Sequence, residues 1–237
     1  MLVTLKNEVI FKNKEEFEIT RTNEELEKIE KVWNEFIDGK NNLFNGDIYT
    51  VTNIKEENEQ YELEIAKTKF ADLVYAKQTK AFKVYSLFSS ILFKTKDNYY
   101  VIVKDNQNRL NLFGGMASNE DFFDNNFNPK ACLEREVKEE LGLSLTDQNI
   151  VSSCHASFIK IPDKEEYMCP TGIVYTAQLN LTKDELNEYF GNKKEKVDDE
   201  IKNILFYTND NYLEMYNEND IREYIIEAIK IIESKKD

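Results

Sequence analysis

Gly114-Gly115, followed after a polar loop by Arg135-Glu136-Val137-Lys138-Glu139-Glu140-Leu141-Gly142-Leu143, is the stretch on which the reading of this sequence turns. At about 100° per residue, Glu136, Glu139 and Glu140 stand at i, i+3 and i+4 and share one helix face. Three carboxylates packed so closely repel one another, which an isolated helix would avoid. A hard divalent cation, which prefers oxygen ligands, would offset that repulsion. Leu133, Val137 and Leu141 form the neighbouring apolar stripe, so the helix can be anchored while its acidic face lines a cleft. Gly114-Gly115 lets backbone approach a ligand or a metal with no Cβ in the way. Taken alone, the same acidic spacing also suits a solvated helix face, and this chain is acidic throughout.

Outward from that core the elements alternate in type. Leu110 to Phe113 reads as a strand leading into the glycines. Pro129 opens a helix that runs to Leu141, and Gly142 ends it, so Pro and Gly take their usual opposite ends. Upstream, Leu87 to Phe93 and Tyr99 to Val103 are buried-type strands joined by the turn 94–98. Downstream, Val151 to Ile161 and Gly172 to Leu181 are strands, Lys183 to Phe190 a short helix, and Ile204 to Tyr207 another strand. Asn219 is placed to cap a last helix with Ile221, Tyr224, Ile225, Ala228, Ile229 and Ile232 on its apolar face. The first third looks like a separate unit. Thr22 and Glu25 form a capping box for a helix to Asp38 that carries Leu26, Ile29, Trp33, Phe36 and Ile37. Ile48 to Thr52 and Gln60 to Ile65 are short alternating strands, a hairpin-like pair. This order predicts an α+β fold, with an N-terminal extension over residues 1–83 and an α/β/α sandwich over residues 84–237.

The 237 residues carry 31 Lys+Arg against 45 Asp+Glu, a formal charge of −14 with no visible basic patch. Nucleic-acid polymers and anionic membranes are therefore poor partners, whereas a metal can bridge carboxylates to a small phosphorylated ligand. No apolar run approaches the ~20 residues of a membrane span, and Met1 to Lys6 does not read as a signal peptide. Cys132, Cys154 and Cys169 show no CxxC spacing, and His155 is the one histidine, which all but excludes a Cys/His zinc site. Sparse cysteine without a leader predicts a cytoplasmic protein. A Ser–His–Asp or Cys–His mechanism would rest on His155 alone, in an apolar, strand-like run with no nucleophile elbow. Aromatic residues make up 12 % of the chain, too many to single out a stacking platform.

The string Arg135 to Leu143 fills the second half of the Nudix box, Arg-Glu-aliphatic-x-Glu-Glu-x-Gly-aliphatic, and Gly114-Gly115 stands where that box begins. The sequence resembles the Nudix hydrolases. The first half of the box departs from the pattern. The family spaces Gly, five residues, Glu, seven residues, Arg; here Glu120 keeps the first spacing, but fourteen residues separate it from Arg135. Either the loop Asn119 to Asn128 is an insertion, or Glu120 is not the equivalent glutamate. Phe113 also stands where many members have Pro.

The resemblance implies that Glu136, Glu139 and Glu140 hold Mg²⁺ or Mn²⁺, with the Gly115 carbonyl as a further ligand. It gives Arg135 the duty of orienting a carboxylate. A carboxylate on a later loop would act as base or extra ligand; Glu165, Glu166, Asp199 and Glu200 are candidates, and Glu200, just before the penultimate strand, is preferred. The implied reaction is hydrolysis of a nucleoside diphosphate linked to another group, a nucleotide sugar first. ADP-ribose, dinucleoside polyphosphates, damaged nucleotides and a non-catalytic nucleotide sensor are the alternatives. Trp33, Leu43 to Tyr49 and Lys67 to Leu73 are loosely similar to a Nudix subgroup related to animal UDP-glucose pyrophosphatase. Under that likeness Phe44 to Tyr49 lies near the cleft. Otherwise the extension is a lid or a dimer contact, and only the dimer contact would make the chain a homodimer.

Overall fold

Leu2 is buried while Val3 and Thr4 are half-covered, and β1 (Leu2–Thr4) runs antiparallel along the edge of the main sheet, Leu2 opposite Lys160. The computed structural model describes residues 1–39, 43–163, 166–193, 201–217 and 221–235. Next come β2 (Ile10–Glu18), α1 (Asn23–Ile37), β3 (Asp47–Glu57), β4 (Gln60–Lys69) and α2 (Phe70–Thr79). The expected capping box holds α1: Thr22 Oγ1 accepts from the Glu25 amide and the Thr22 amide donates to Glu25. Asn58 and Glu59, both at positive φ (50° and 63°), turn β3 into β4, longer strands than the alternation predicts. β2 adds parallel to β4, so this second sheet runs β2-β4-β3. Helices α1 and α2 pack on each other through Ile29, Trp33, Ala71, Val74 and Tyr75.

The remaining elements build the sandwich: β5 (Leu87–Lys94), β6 (Tyr100–Asp105), β7 (Leu110–Asn111), β8 (Phe113–Met116), β9 (Phe122–Phe123), β10 (Asn126–Phe127), α3 (Pro129–Leu141), β11 (Val151–Lys160), β12 (Thr171–Leu179), α4 (Lys183–Lys193), β13 (Ile201–Tyr207) and α5 (Glu223–Ser234). The main sheet is eight-stranded, ordered β1-β11-β12-β5-β6-β13, with β8 beside β5 and β7 beside β6. β5 and β12 are parallel and central, and apolar on both faces because helices cover both. Leu87, Ile91, Phe93, Ile173 and Tyr175 face α3 and α4, while Phe88, Leu92 and Val174 face α5. The result is the expected α/β/α sandwich. Asn219 lies outside the described residues; α5 itself begins at Glu223 and buries Ile225, Ile226, Ala228 and Ile229.

Tyr49, Val51, Tyr61, Leu63 and Ile65 of the second sheet lie in the same apolar cluster as Leu133 and Val137 of α3. Both sheets therefore converge on α3. Among the described residues, no helix is long and apolar enough to cross a membrane.

Candidate active site

Asn128 starts α3 by accepting from the amides of Lys130 (3.1 Å) and Ala131 (3.0 Å), and Pro129 takes the first turn, where no amide is needed. Gly142 ends it at φ 67°, its amide bonded to the Lys138 carbonyl at 2.9 Å. Cys132, Leu133, Val137 and Leu141 are buried against the sheets, which fixes the rotation of the helix. Glu136 and Glu140 are thereby turned toward β8. A Cβ at residue 115 would lie 2.4 Å from the Glu136 carboxyl carbon, so only glycine leaves room for that carboxylate. The Gly114 amide donates to Glu140 Oε2 at 2.8 Å. Gly114 has φ 127°, and a side chain there would also strike the Ser89 carbonyl, 2.2 Å from its Cβ. The two glycines thus seat two of the three glutamates.

Arg135 organises the same face. Its Nε and Nη2 donate to the two oxygens of Asp121 at 3.1 and 2.9 Å, a bidentate pair. Nη2 also reaches the Met116 carbonyl at 3.2 Å. Nη1 bridges Glu136 Oε1 at 2.8 Å and Glu139 Oε2 at 3.2 Å. Asp121 is only 1 % exposed, and its Oδ2 accepts from the Ser118 amide at 2.8 Å. Burial alone would raise its carboxyl pKa, but the Arg135 guanidinium and the Ser118 amide hold it below the ordinary carboxylate range. Glu136 moves the other way. Burial pushes its carboxyl up, Arg135 pulls it down, and the charges of Glu139 and Asp121 add to the rise. Cys132 donates weakly to the Gly115 carbonyl, Sγ to O 3.8 Å. Burial and the nearby carboxylates keep its thiol well above the ordinary cysteine range.

The structure brings Arg135, Glu136, Glu140 and Gly114-Gly115 together, with Glu139 on the exposed shoulder of the same helix. Glu200 and Glu165 lie outside the described residues. Glu166 is held elsewhere, by the Asp163 amide at 2.7 Å and beside Lys160 at 3.9 Å. Glu120 is exposed; Asp121, one residue on, is the carboxylate that grips Arg135. The family spacing points to Glu120, and the available signal for Asp121 was the second acid of the Asn-Glu-Asp turn, whose side chain can fold back to a preceding amide. Tyr49 does reach this region: its hydroxyl donates to Asn119 and its ring lies 4.1 Å from that of Phe122. Phe44 does not; it is 80 % exposed and folds over Gly46.

The donor set suits a hard divalent cation, being carboxylate oxygens plus one carbonyl around a cradle that a Cβ would fill. Beneath Gly115, on the α3 side of β5, the buried Ser89 hydroxyl has no hydrogen-bond partner among the described residues. The carboxylates do not form a closed cage in the described residues; Arg135 sits between Glu136 and Glu139.

No family model and no curated protein sequence matches the chain. Solved structures do. A Nudix hydrolase from Nitrosomonas europaea aligns over 64 % of this chain and 90 % of its own, at 13 % identity and TM-score 0.43. A MutT protein from Methanosarcina mazei aligns over 65 % and 96 %, at 12 % identity and TM-score 0.40. A UDP-X diphosphatase aligns over 57 % and 56 %, at 16 % identity and TM-score 0.35. The chain is similar to Nudix hydrolases. At these identities the chemistry has to be read from the residues of α3 and β8 themselves.

Proposed function

We propose that this chain hydrolyses the diphosphate bond of a nucleoside diphosphate linked to another group, with Mg²⁺ or Mn²⁺ bound, and that residues 84–237 carry the chemistry. The observation behind the reading is the seating of Glu136 against Gly115 and of Glu140 on the Gly114 amide, beside an Arg135 locked by Asp121. That arrangement concentrates negative charge on one rigid face, a poor design for stability alone. Glu136, Glu139, Glu140 and the Gly115 carbonyl would hold the cation, which supplies charge to offset that of the diphosphate and to polarise its phosphorus. Arg135 keeps Glu136 and Glu139 oriented. The Gly114 amide, at 2.8 Å, does the same for Glu140. Glu200, immediately before β13, is our choice of base. A nucleotide sugar is the first substrate to try, and the site matches no nucleic-acid polymer in a chain of charge −14.

The test is a panel of UDP-glucose, ADP-ribose, diadenosine tetraphosphate and nucleoside triphosphates, with and without Mg²⁺. Hydrolysis of a diphosphate-linked compound should appear with Mg²⁺ and vanish with EDTA. Glu139→Gln and Glu140→Gln should each lower turnover roughly a hundredfold or more, about 3 kcal/mol of transition-state stabilisation, with a cooperative melt retained. Wild-type turnover in both variants at limiting Mg²⁺ would overturn the reading, and preference for a triphosphate would overturn the nucleotide-sugar choice alone.

A further inference from the structure

Lys160, the last residue of β11, is a charged side chain on a covered face. It is 8 % exposed, and alternation with Phe158 turns it to the side of the main sheet that α5 covers, away from α3. A buried ammonium is costly unless it is paired and hydrogen-bonded. Its Nζ donates to Cys169 Sγ at 3.0 Å and to the Ile161 carbonyl at 3.3 Å, and lies 3.9 Å from Glu166 Oε2. The Ile161 carbonyl also accepts from the Met1 amino group at 3.0 Å, so the sulfur takes a large share of the lysine.

Cys169 is 1 % exposed and donates its own proton to the Pro170 carbonyl, Sγ to O 3.3 Å. Burial raises its thiol pKa, and Lys160 pulls it back toward the ionised form. Among the described residues it is the one cysteine whose sulfur accepts from a lysine. It also sits where the extension joins the sandwich. Its amide donates to the Val84 carbonyl at 3.4 Å, and the Thr171 amide, two residues on, donates to the Ser86 carbonyl at 2.8 Å. A nucleophilic nitrogen and an oxidisable sulfur are thus held in contact at that joint, and the hydrolase reading uses neither.

We infer that Lys160 and Cys169 are an oxidative cross-linking site, at which dioxygen joins them through one bridging oxygen, Nζ–O–Sγ. Thiol, ammonium and O₂ give the bridge, one water and one proton. The S–H bond, two N–H bonds and the O–O bond break, and S–O and N–O bonds form. Sulfur and nitrogen each give up two electrons, and the two oxygen atoms take up the four. Two of the three hydrogens leave in the water; the third leaves as a proton, with the Glu166 carboxylate beside Nζ to accept it. A single oxygen fits between atoms 3.0 Å apart, whereas a direct S–N bond would have to draw the two segments together. Dioxygen is small and uncharged, so it reaches a buried pair that charged reagents do not. The bridge pins the residues that lead into β12 and, through Val84, the joint to the extension.

The experiment takes the intact chain prepared under argon with dithiothreitol, removes the reductant, and keeps half in air-saturated buffer and half under argon. Intact mass should show a gain of one oxygen and a loss of two hydrogens in the air sample alone. Trypsin should stop cutting after Lys160, and peptides carrying residues 160 and 169 should run as one species that excess dithiothreitol separates. The linked chain should melt roughly 5 °C higher or more, the effect of closing a short loop. Lys160→Arg keeps a positive charge beside Cys169 but has no amine to bridge, so its mass should stay unchanged in air. Free Lys160 and unmodified Cys169 in the wild-type air sample overturn the site. So does Cys169 oxidised to a sulfinic acid with Lys160 free, or the same mass change in Lys160→Arg. A link without the added oxygen overturns the bridge, and an unchanged melting temperature in the linked chain overturns the pin.

Discussion

Arg135 carries one positive charge among Asp121, Glu136 and Glu139, and the partner it holds most tightly decides how stable its whole neighbourhood is. That partner is Asp121, doubly bonded and essentially buried, with side-chain exposures of 20 % and 2 % for Arg135 and Asp121. Removing Asp121 takes away the bidentate, essentially buried partner and leaves Arg135 only Glu136 and Glu139, at a cost on the order of 3 kcal/mol. Asp121→Asn should therefore lower the melting temperature by roughly 6–12 °C, whereas Glu120→Gln, on an exposed side chain, should change it by about 1–2 °C at most. Thermal melts of the two variants decide between the two carboxylates; equal losses would return Glu120 to the role that the family spacing gives it. The charge pattern of α3 was legible in the sequence because it depends on helical spacing alone. The identity of the Arg135 partner was not, because it depends on a single turn, 119–121, whose conformation no periodicity encodes.

At the scale of elements the same division holds. The α3 helix was readable to the residue, since Asn128, Pro129 and Gly142 each have a local chemical reason to be where they are. α2 was missed because its apolar residues, Phe70, Ala71, Leu73, Val74, Tyr75 and Ala76, are spread around the helix and are covered on several sides. β1 and β2 were missed because their pairing partners, β11 and β4, are distant in sequence. The loop 119–128 is partly ordered by aromatic contacts, Phe122 on Tyr49 and Phe127 on Phe11, into the small hairpin β9–β10. The Asn128 amide bonds to the Asp121 carbonyl at 2.9 Å, so the two ends of this hairpin already touch. Residues 122–127 can therefore be replaced by a short glycine linker, which spans ends already in contact and keeps Asp121 and Asn128 in place. Losing buried Phe127 should cost about 3–5 kcal/mol. The loop also lies against the face that carries the α3 carboxylates, so relative kcat/KM among substrates should change. A kcat/KM series on a variant shown by melting to be folded tests this, and a uniform loss with the ranking intact would count against it.

For the whole molecule, the question is whether the extension is a separable module or part of the sandwich. The sequence reading places a boundary between residues 83 and 84, and a bare sandwich would already contain α3. Yet β1 belongs to the main sheet, and Tyr49, Val51, Tyr61, Leu63 and Ile65 are each no more than 5 % exposed in the cluster that also contains Leu133 and Val137. At about 2 kcal/mol for each buried large side chain, those five contribute on the order of 10 kcal/mol, comparable with the entire stability of a typical domain. Cutting the chain at residue 83 would expose the matching surface on α3 and on the 119–128 loop. We therefore expect the fragment 84–237 to show no cooperative melt by itself, and to regain one when co-expressed with 1–83. A sharp unfolding transition in the isolated fragment would show that the extension only covers the sandwich. In that event the substrate ranking of the fragment, set beside that of the intact chain, would report whether the extension contributes to substrate choice, because Arg135, Glu136, Glu139 and Glu140 would all remain.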